Sequence, residues 1–259
     1  MAQSLKDKII FITGATSGFG EAFSRRFVEE GAKIIATGRR SDRLQALQAE
    51  LGADKVHILT FDVRDQKALE SAIQQLPTAF KAINVLINNA GLALGLGPAD
   101  DAVLSNWEQM VDTNIKGVLY ATNALLPPMV KQGHGHIVNI GSIAGTYPYP
   151  GGNVYGATKA FLKQFSLNLR ADLIDKNIRV TNIEPGMVET GFSVVRFQGD
   201  ENKAKEVYKN MQPLTAKDIA ETVLFCLICP PHVNINAVEI MPTAQAFSPF
   251  AVHRNMPNT

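Results

Sequence analysis

"KIIFITGATSGFGEAFSRRFVEEG" (residues 8–31) is the stretch that decides the fold of this 259-residue chain. Its first six residues are mostly apolar and β-branched, which predicts a buried strand. From Gly20 onward, apolar residues recur at helical spacing until a closing glycine, which predicts a helix. Gly14 and Gly18 lie between the two, so the stretch predicts a strand and a helix joined by a glycine-rich turn.

The turn "TGATSGFG" (13–20) has the properties of a phosphate-binding turn. Glycine permits positive φ and lets the backbone approach a pyrophosphate, while the helix that follows offers unpaired N–H groups and a positive dipole end. The spacing G-x-x-x-G-x-G differs from the commonest G-x-G-x-x-G fingerprint, and a tight turn without a ligand is the alternative. We predict dinucleotide contacts from Gly14, Thr16, Ser17, Gly18, Phe19 and Gly20.

Strand-like and helix-like stretches alternate along the rest of the chain. Further strands are predicted at "KIIATG" (33–38), "KVHILTFDV" (55–63), "INVLINNAG" (83–91), "GHIVNIGS" (135–142), "IRVTNIEPG" (178–186) and "NAVEIM" (236–241). They are apolar on both faces, as buried parallel strands are. Between them lie helical patterns, of which 105–130 is compatible with one long helix or two. The alternation predicts an α/β fold, a doubly wound parallel sheet of about seven strands flanked by helices.

The composition is that of an ordinary globular protein, with 46% hydrophobic and 19% charged residues and a formal net charge of +1. It provides no global field that would attract nucleic acid or an anionic membrane. The sequence contains no apolar run of signal-peptide type, and no stretch reaches the ~18 apolar residues of a membrane span. We therefore expect a soluble, cytoplasmic protein of one domain over residues 1–259, with the dinucleotide-binding half at about 1–140.

The two cysteines and two of the histidines are of residue types that form redox or metal sites. Cys226 and Cys229 are too few for a disulfide framework, and their C-x-x-C spacing lies in a helical pattern, "DIAETVLFCLICPP" (218–231). Two buried helix thiols are therefore favoured over a redox or metal site. His134 and His136 have no further cluster of ligand-type residues, and a turn leading into a strand accounts for them. We predict no metal site.

The end of the second strand, "ATGRRSDR" (36–43), indicates which dinucleotide is bound. An NAD site usually has Asp or Glu there, to accept a hydrogen bond from the ribose 2′-OH. Arg39 and Arg40 stand in its place, and two guanidiniums suit a 2′-phosphate. The alternative, two solvated residues at a helix N-terminus, is disfavoured because the dipole there repels cations. NADP(H) is the predicted cofactor.

A third constellation lies in "GSIAGTYPYPGGNVYGATKAF" (141–161). Ser142 ends a strand, and Tyr155 and Lys159 share one face of the following helix at i and i+4. An ammonium beside a phenol lowers the phenol pKa, and such a phenol exchanges a proton with an alcohol or carbonyl oxygen while hydride moves at carbon. Ser142 is suited to bind the same oxygen, although a chance Tyr–Lys spacing is the alternative.

These motifs together resemble the short-chain dehydrogenase/reductase family along essentially the whole chain. The match includes "TGATSGFG", "DV" (62–63), "NNAG" (88–91), Asn114, Ser142, "YGATK" (155–159) and "PG" (185–186). The resemblance implies a Rossmann-like fold and a catalytic tetrad of Asn114, Ser142, Tyr155 and Lys159. Tyr155 would be the acid/base, Lys159 would also hold the nicotinamide ribose, and Asn114 would order a water that relays protons. One departure is Gly141, where many members have a serine.

The resemblance also implies further cofactor contacts. Asp62 and Val63 would line the adenine, and Asn89, Ala90 and Gly91 the adenosine and the nicotinamide ribose. The nicotinamide would be covered by the segment that contains Pro185, Gly186, Val188 and Thr190.

Other stretches, among them "ATGRRSDRLQAL", "SVVRFQGD" and "HVNINAVEIMP", resemble NADP-dependent 3-hydroxy acid dehydrogenases. Members of that group oxidise serine, allo-threonine or 3-hydroxypropionate, or reduce the semialdehydes. Sulfoacetaldehyde reductases, which form isethionate, share much of this pattern and remain the alternative. A dinucleotide-binding protein without catalysis is a remote one, because Tyr155 and Lys159 are both present.

The family's substrate loop corresponds to about residues 187–213. A small anionic substrate requires a cation or strong donors in a site closed to water. Arg196 is flanked by apolar residues, and its fork suits a carboxylate or sulfonate; a structural ion pair or subunit contact is the alternative. Tyr149 is a second candidate substrate contact, with a core or rim aromatic as the alternative.

Partners other than this substrate follow only from the resemblance. It implies a homotetramer or homodimer. The tail "FSPFAVHRN" (247–255), with Phe247, Phe250 and Arg254, is a candidate to fold over a site of its own chain or of a neighbour.

Overall fold

The computed structural model describes residues 4–248 and 250–254. In this part of the chain the strands are β1 (Ile9–Ile12), β2 (Lys33–Gly38), β3 (Val56–Thr60), β4 (Ile83–Asn88), β5 (Gly135–Ile140), β6 (Ile178–Pro185), β7 (Val188–Glu189), β8 (Leu214–Thr215) and β9 (Ala237–Ile240). The α-helices are α1 (Gly18–Glu29), α2 (Ser41–Leu51), α3 (Gln66–Gln74), α4 (Leu104–Val111), α5 (Gly117–Gln132), α6 (Asn153–Asp172), α7 (Phe192–Arg196), α8 (Glu201–Glu206) and α9 (Ala216–Ile228).

Seven of these strands form a parallel sheet in the order β3-β2-β1-β4-β5-β6-β9. The short strands β7 and β8 pair with each other outside it. All four residues of β1 are buried, because strands pair with both of its edges and helices cover both faces of a parallel sheet. The predicted doubly wound parallel sheet is confirmed.

Helices cover both faces of the sheet and enclose two apolar cores. One core contains Phe23 and Phe27 of α1, stacked at 5.7 Å, together with Val223 of α9. The other contains Leu69 of α3 and Leu125 of α5. Each such fully buried side chain contributes about 1.5–3 kcal/mol, so the strand ends are held by a rigid frame.

The strand order reverses between β1 and β4, since β2 and β3 lie on one side of β1 and the later strands on the other. In open α/β sheets the crevice outside the carboxyl ends of the strands at this point is where ligands bind. The glycine turn after β1 and the segment after β4 border this crevice. The backbone N–H of Thr13 donates to the Ile87 carbonyl at 3.1 Å and ties the two together.

The predicted helical stretch at 105–130 consists of two helices, α4 and α5, joined by a π-helical turn at Asp112–Lys116. Pro127 and Pro128 lie inside α5. Single π turns occur frequently at functional sites, and Asn114 lies at the centre of this one.

The cysteines and two of the histidines contact core or neighbouring polar groups of the fold. Cys226 and Cys229 are buried free thiols in and just after α9, as predicted. His136 is buried on β5 and lies 2.8 Å from the Thr181 hydroxyl, and His134 lies 3.1 Å from the Asn84 amide. No helix in the described ranges has both the length and the apolar character needed to cross a bilayer.

Candidate active site

A cavity of about 470 Å³ opens at the carboxyl ends of the central strands. Its walls include all of the predicted cofactor residues except Gly20 and all of the predicted catalytic residues except Asn114. The two candidate substrate residues, Tyr149 and Arg196, lie outside this lining. The sequence motifs, far apart along the chain, therefore converge on one crevice.

The glycine turn is shaped by close backbone contacts. Gly14 has φ +71°, and a Cβ there would lie 3.0 Å from the Cα of Ala90. The Asn89 side chain donates to the carbonyls of Thr13 at 2.8 Å and Gly14 at 3.0 Å. Gly20 faces Gly14 and Asn89 instead of the cavity, so it permits packing of α1 against the turn.

Arg40 lies against the same turn from the end of β2. Its Nη2 donates to the hydroxyls of Thr16 and Ser17, each at 2.8 Å. Arg39 is 61% exposed, and its Nη1 lies 3.7 Å from Oδ2 of Asp62. Two guanidiniums and two hydroxyls at one rim of the cavity form a donor set that suits a phosphate.

Asp62 is held by a residue that the sequence analysis missed. Arg64 donates to both carboxylate oxygens, with the shortest contact at 2.7 Å. This hydrogen bond is the main cause that keeps the pKa of Asp62 below its ordinary value. The carboxylate is therefore ionised at neutral pH and fixed in orientation at the adenosine end predicted for it.

Lys159 is buried close to Tyr155. Its ammonium donates to the Ile140 carbonyl at 2.7 Å and lies 5.8 Å from the centroid of the Tyr155 ring. Burial lowers the pKa of Lys159 to about 8. Ser142 lies at the end of β5, where its hydroxyl accepts from the Ala144 N–H at 3.1 Å, and both it and Tyr155 line the cavity.

The expectation of a lowered phenol pKa is wrong for the groups that this chain supplies. Burial raises the pKa of Tyr155 to about 12. The largest opposing influence is the charge of Arg196, and Ser142 also lowers the pKa. Lys159 donates to the Ile140 carbonyl and is not among the main groups that act on the pKa of Tyr155. The cation that acts on Tyr155 therefore comes from a distant part of the chain.

Asn114 makes no cavity surface, because its side chain holds the wall behind it. Its Oδ1 accepts from the Leu92 N–H at 2.9 Å, and its Nδ2 donates to the Leu92 carbonyl at 2.8 Å and to the Thr158 hydroxyl at 3.1 Å. The amide thus fixes the π turn against the segment after β4. Both N–H donors of the Asn114 side chain are used in this way, so its amide nitrogen has none left for a relay water.

Arg196 and Tyr149 lie together above Tyr155. The Arg196 guanidinium is 5.0 Å from the centroid of the Tyr155 ring and 5.2 Å from that of Phe192. Its Nη2 donates to the Tyr149 hydroxyl at 3.2 Å, while its buried Nε has no hydrogen-bond partner. Phe250 of the tail packs edge-on against Tyr149 at 5.5 Å.

Sequence reasoning missed several apolar walls of the cavity, among them Leu92, Phe192 and Val195. Their only signal in the sequence is that they flank predicted site residues. Apolar residues at such positions resemble ordinary core residues until the fold shows what they face.

The chain has extensive similarity to known proteins. A family model described as "short chain dehydrogenase" matches residues 8–201. The NADP-dependent 3-hydroxy acid dehydrogenase YdfG of Salmonella typhimurium is 56% identical over 248 residues, which cover 95% of this chain and 100% of that protein. Serine 3-dehydrogenase of Agrobacterium fabrum is 54% identical over 245 residues, covering 95% and 98%.

Solved structures are similar to this chain as well. The closed form of a serine dehydrogenase complexed with NADP+ has a TM-score of 0.92 and 54% identity, and the match covers 95% of this chain and 99% of that one. Levodione reductase has a TM-score of 0.82 at 27% identity, covering 92% and 97%. The resemblance noted from the sequence is confirmed.

Proposed function

We propose that this chain, which belongs to the short-chain dehydrogenase family, is an NADP(H)-dependent oxidoreductase of small 3-hydroxy acids and their semialdehydes. The observation that carries the proposal is the Arg196 guanidinium, stacked 5.0 Å from the centroid of the Tyr155 ring. Among the described residues it has no carboxylate partner, and its Nε bonds to nothing. A cation so placed binds the anionic end of a substrate whose hydroxyl reaches Tyr155.

The residues of the crevice fit NADP. The backbone at Gly14 and Ala90 is too close for a side chain at position 14, which suits approach of a pyrophosphate. Arg40 with Thr16 and Ser17, supported by Arg39, would bind the 2′-phosphate. Two relatives support this assignment, since one is named NADP-dependent and the other was solved with NADP+.

Each catalytic residue has a role that its position permits. Bound NADP supplies or accepts the hydride and, when oxidised, adds a positive charge beside the phenol. Tyr155 would exchange a proton with the substrate oxygen, and Ser142 would hydrogen-bond and orient that oxygen. Lys159 would hold the nicotinamide ribose and pass the proton on toward a water near Asn114.

Oxidation of an alcohol requires Tyr155 as phenolate. Because burial raises its pKa to about 12, the phenolate needs nearby positive charge at neutral pH. Arg196 supplies part of it and would bind the substrate anion as well. The segment 187–213, which carries Arg196, would therefore select the substrate and tune the acid/base.

The charged residues around the cavity predict which 3-hydroxy acid is used most efficiently. Among the described residues of its lining, Asp62 is the one carboxylate, and it lies beside Arg39 at the adenosine end. The part of the lining beside Tyr155 therefore offers no carboxylate to the amino group of serine. We therefore expect 3-hydroxypropionate, which has no ammonium, to be used more efficiently than serine.

A substrate panel tests the proposal: kcat/KM with NADP for 3-hydroxypropionate, serine and isethionate. The highest value is expected for 3-hydroxypropionate. A preference for isethionate would assign the chain to sulfoacetaldehyde reduction instead, since the Arg196 fork accommodates a sulfonate too. Tight NADP binding with no turnover of any of the three would favour the non-catalytic alternative.

We also propose assembly into a homotetramer or homodimer. In support, β9 lies at an edge of the sheet and Phe225 of the adjacent α9 is 58% exposed. Light scattering of the purified protein measures this directly, and a monomeric mass at micromolar concentration would contradict it.

A further inference from the structure

The hydroxyl of Tyr208 lies where three parts of the substrate segment meet. Tyr208 follows α8, and its hydroxyl donates to the Val188 carbonyl of β7 at 2.8 Å. The same oxygen lies 2.6 Å from the hydroxyl of Ser193 in α7. A phenol has one proton to donate. Since the carbonyl takes it, Ser193 must donate to Tyr208, and both hydrogen bonds are satisfied at once.

The contact holds α7, a helix too short to be stable without tertiary contacts. α7 has five residues, far below the length at which a helix is stable alone, so its place depends on tertiary contacts. Ser193 is 6% exposed in its first turn. Arg196 ends the same helix, and its carbonyl accepts from the Gly95 N–H at 3.0 Å. Tyr208 and Gly95 therefore hold the two ends of α7.

The backbone around Tyr208 is itself held from outside. Arg254 donates to the carbonyls on either side of it, Val207 at 3.1 Å and Lys209 at 2.9 Å. The C-terminal tail thus folds onto the substrate segment of its own chain. Arg254 therefore fixes the backbone of Tyr208, and the Tyr208 hydroxyl bonds to β7 and α7.

We infer that Tyr208 is a positioning residue for the substrate-binding side of the site: its hydroxyl bonds to Val188 and Ser193 fix α7, and thereby place the Arg196 guanidinium over Tyr155. The inference rests on the proposed function, because it gives Arg196 the anionic end of the substrate. Tyr208 does not line the cavity, so it would act on the site through Arg196.

Tyr208→Phe removes the hydroxyl and keeps the ring, and Tyr120→Phe on α5 is the matched control, since no hydrogen bond of its hydroxyl is found within the described ranges. Amide hydrogen exchange of residues 191–197 should become about fivefold faster in Tyr208→Phe, the effect expected from losing one neutral hydrogen bond. The control should leave it unchanged. This measurement requires no substrate.

Kinetics supply a readout that a purely structural role would not move. In Tyr208→Phe, KM should rise about fivefold for 3-hydroxypropionate and little for the uncharged 3-hydroxypropionamide, with kcat and NADP affinity within about twofold. Ser193→Ala should act in the same direction, and the double variant should lose no more than Tyr208→Phe alone, because Tyr208→Phe already removes the contact that the two residues share.

The outcomes are distinguishable. Unchanged exchange at 191–197 overturns the inference, and so does an equal KM increase for acid and amide when Arg196→Ala does discriminate between them. If Arg196→Ala fails to discriminate, the proposed function loses its anion site. The exchange measurement then decides alone, with faster exchange supporting the role of Tyr208 in fixing α7 and unchanged exchange refuting it.

Discussion

Arg196→Ala is the most direct test of how this site recognises its substrate. Within the described residues the guanidinium has a buried Nε without a partner and a single side-chain hydrogen bond, to Tyr149, so donors remain for an anion. A hydrogen bond to a charged group contributes about 1.5–3 kcal/mol. At 1.36 kcal/mol per decade, its loss lowers kcat/KM for 3-hydroxypropionate by roughly 10- to 150-fold.

The same substitution has a second effect that must be separated from the first. Arg196 is the main group that opposes the burial-driven rise in the pKa of Tyr155, so its removal raises that pKa further. The rising limb of the pH–rate profile for alcohol oxidation should therefore move to higher pH. This effect acts on every substrate alike. The ratio of kcat/KM for 3-hydroxypropionate to that for 3-hydroxypropionamide cancels it and isolates the contact with the carboxylate.

Arg196→Lys separates charge from geometry, because it keeps a cation and loses the planar fork. We expect it to restore the pH profile and to recover only part of the acid-to-amide ratio. The reasoning is refuted if Arg196→Ala leaves that ratio unchanged while lowering both rates. Arg196 would then support the loop and Tyr149, and the anion would have to bind elsewhere.

Three further predictions concern the cofactor and the catalytic pair. Tyr155→Phe should abolish turnover and leave NADP affinity, measured by calorimetry, nearly intact; retained turnover would exclude its acid/base role. Arg39→Ala with Arg40→Ala should weaken NADP at least about tenfold and NAD little, and equal losses would contradict binding of the 2′-phosphate. Lys159→Met should abolish turnover yet raise the free energy of unfolding by about 1–3 kcal/mol at pH 7. Burial lowers the pKa of Lys159 from 10.5 to about 8, so its ammonium destabilises the fold fully below pH 8 and less as pH rises to 10.5; urea denaturation should show the gain shrinking over that range.

The fold was predictable because its signals are local. A strand, a glycine-rich turn and a helix follow one another in 8–31, and each is recognisable from its own residues. Gly14 has the positive φ that the turn requires. The ends of elements were less accurate: β3 ends at Thr60, whereas the apolar pattern continues to Val63, since apolar residues beyond a strand still face the core.

The site residues that belong to family motifs were predictable from the sequence. Contacts between residues far apart in the sequence were not. Arg64 and Tyr208 belong to no motif, and their roles arise from carboxylate and carbonyl groups that only the fold brings near. The pKa of Tyr155 shows the same limit. Lys159 is four residues away in the helix and was expected to act on the phenol. The more distant Arg196 acts on it, because packing of α7 decides where that charge lies.

Two cations close to Tyr155 have no carboxylate partner among the described residues, the buried Lys159 and the half-buried Arg196. Lys159 bonds only to the Ile140 carbonyl within the described chain, and Arg196 only to the Tyr149 hydroxyl. A buried charge without a counter-ion is costly, which applies to Lys159. Both cations lie within 6 Å of the Tyr155 ring centroid, Lys159 at 5.8 Å and Arg196 at 5.0 Å. The described residues therefore leave the positive charge around Tyr155 without a counter-ion. An anionic substrate would supply one, and so would Tyr155 itself as the phenolate that alcohol oxidation requires.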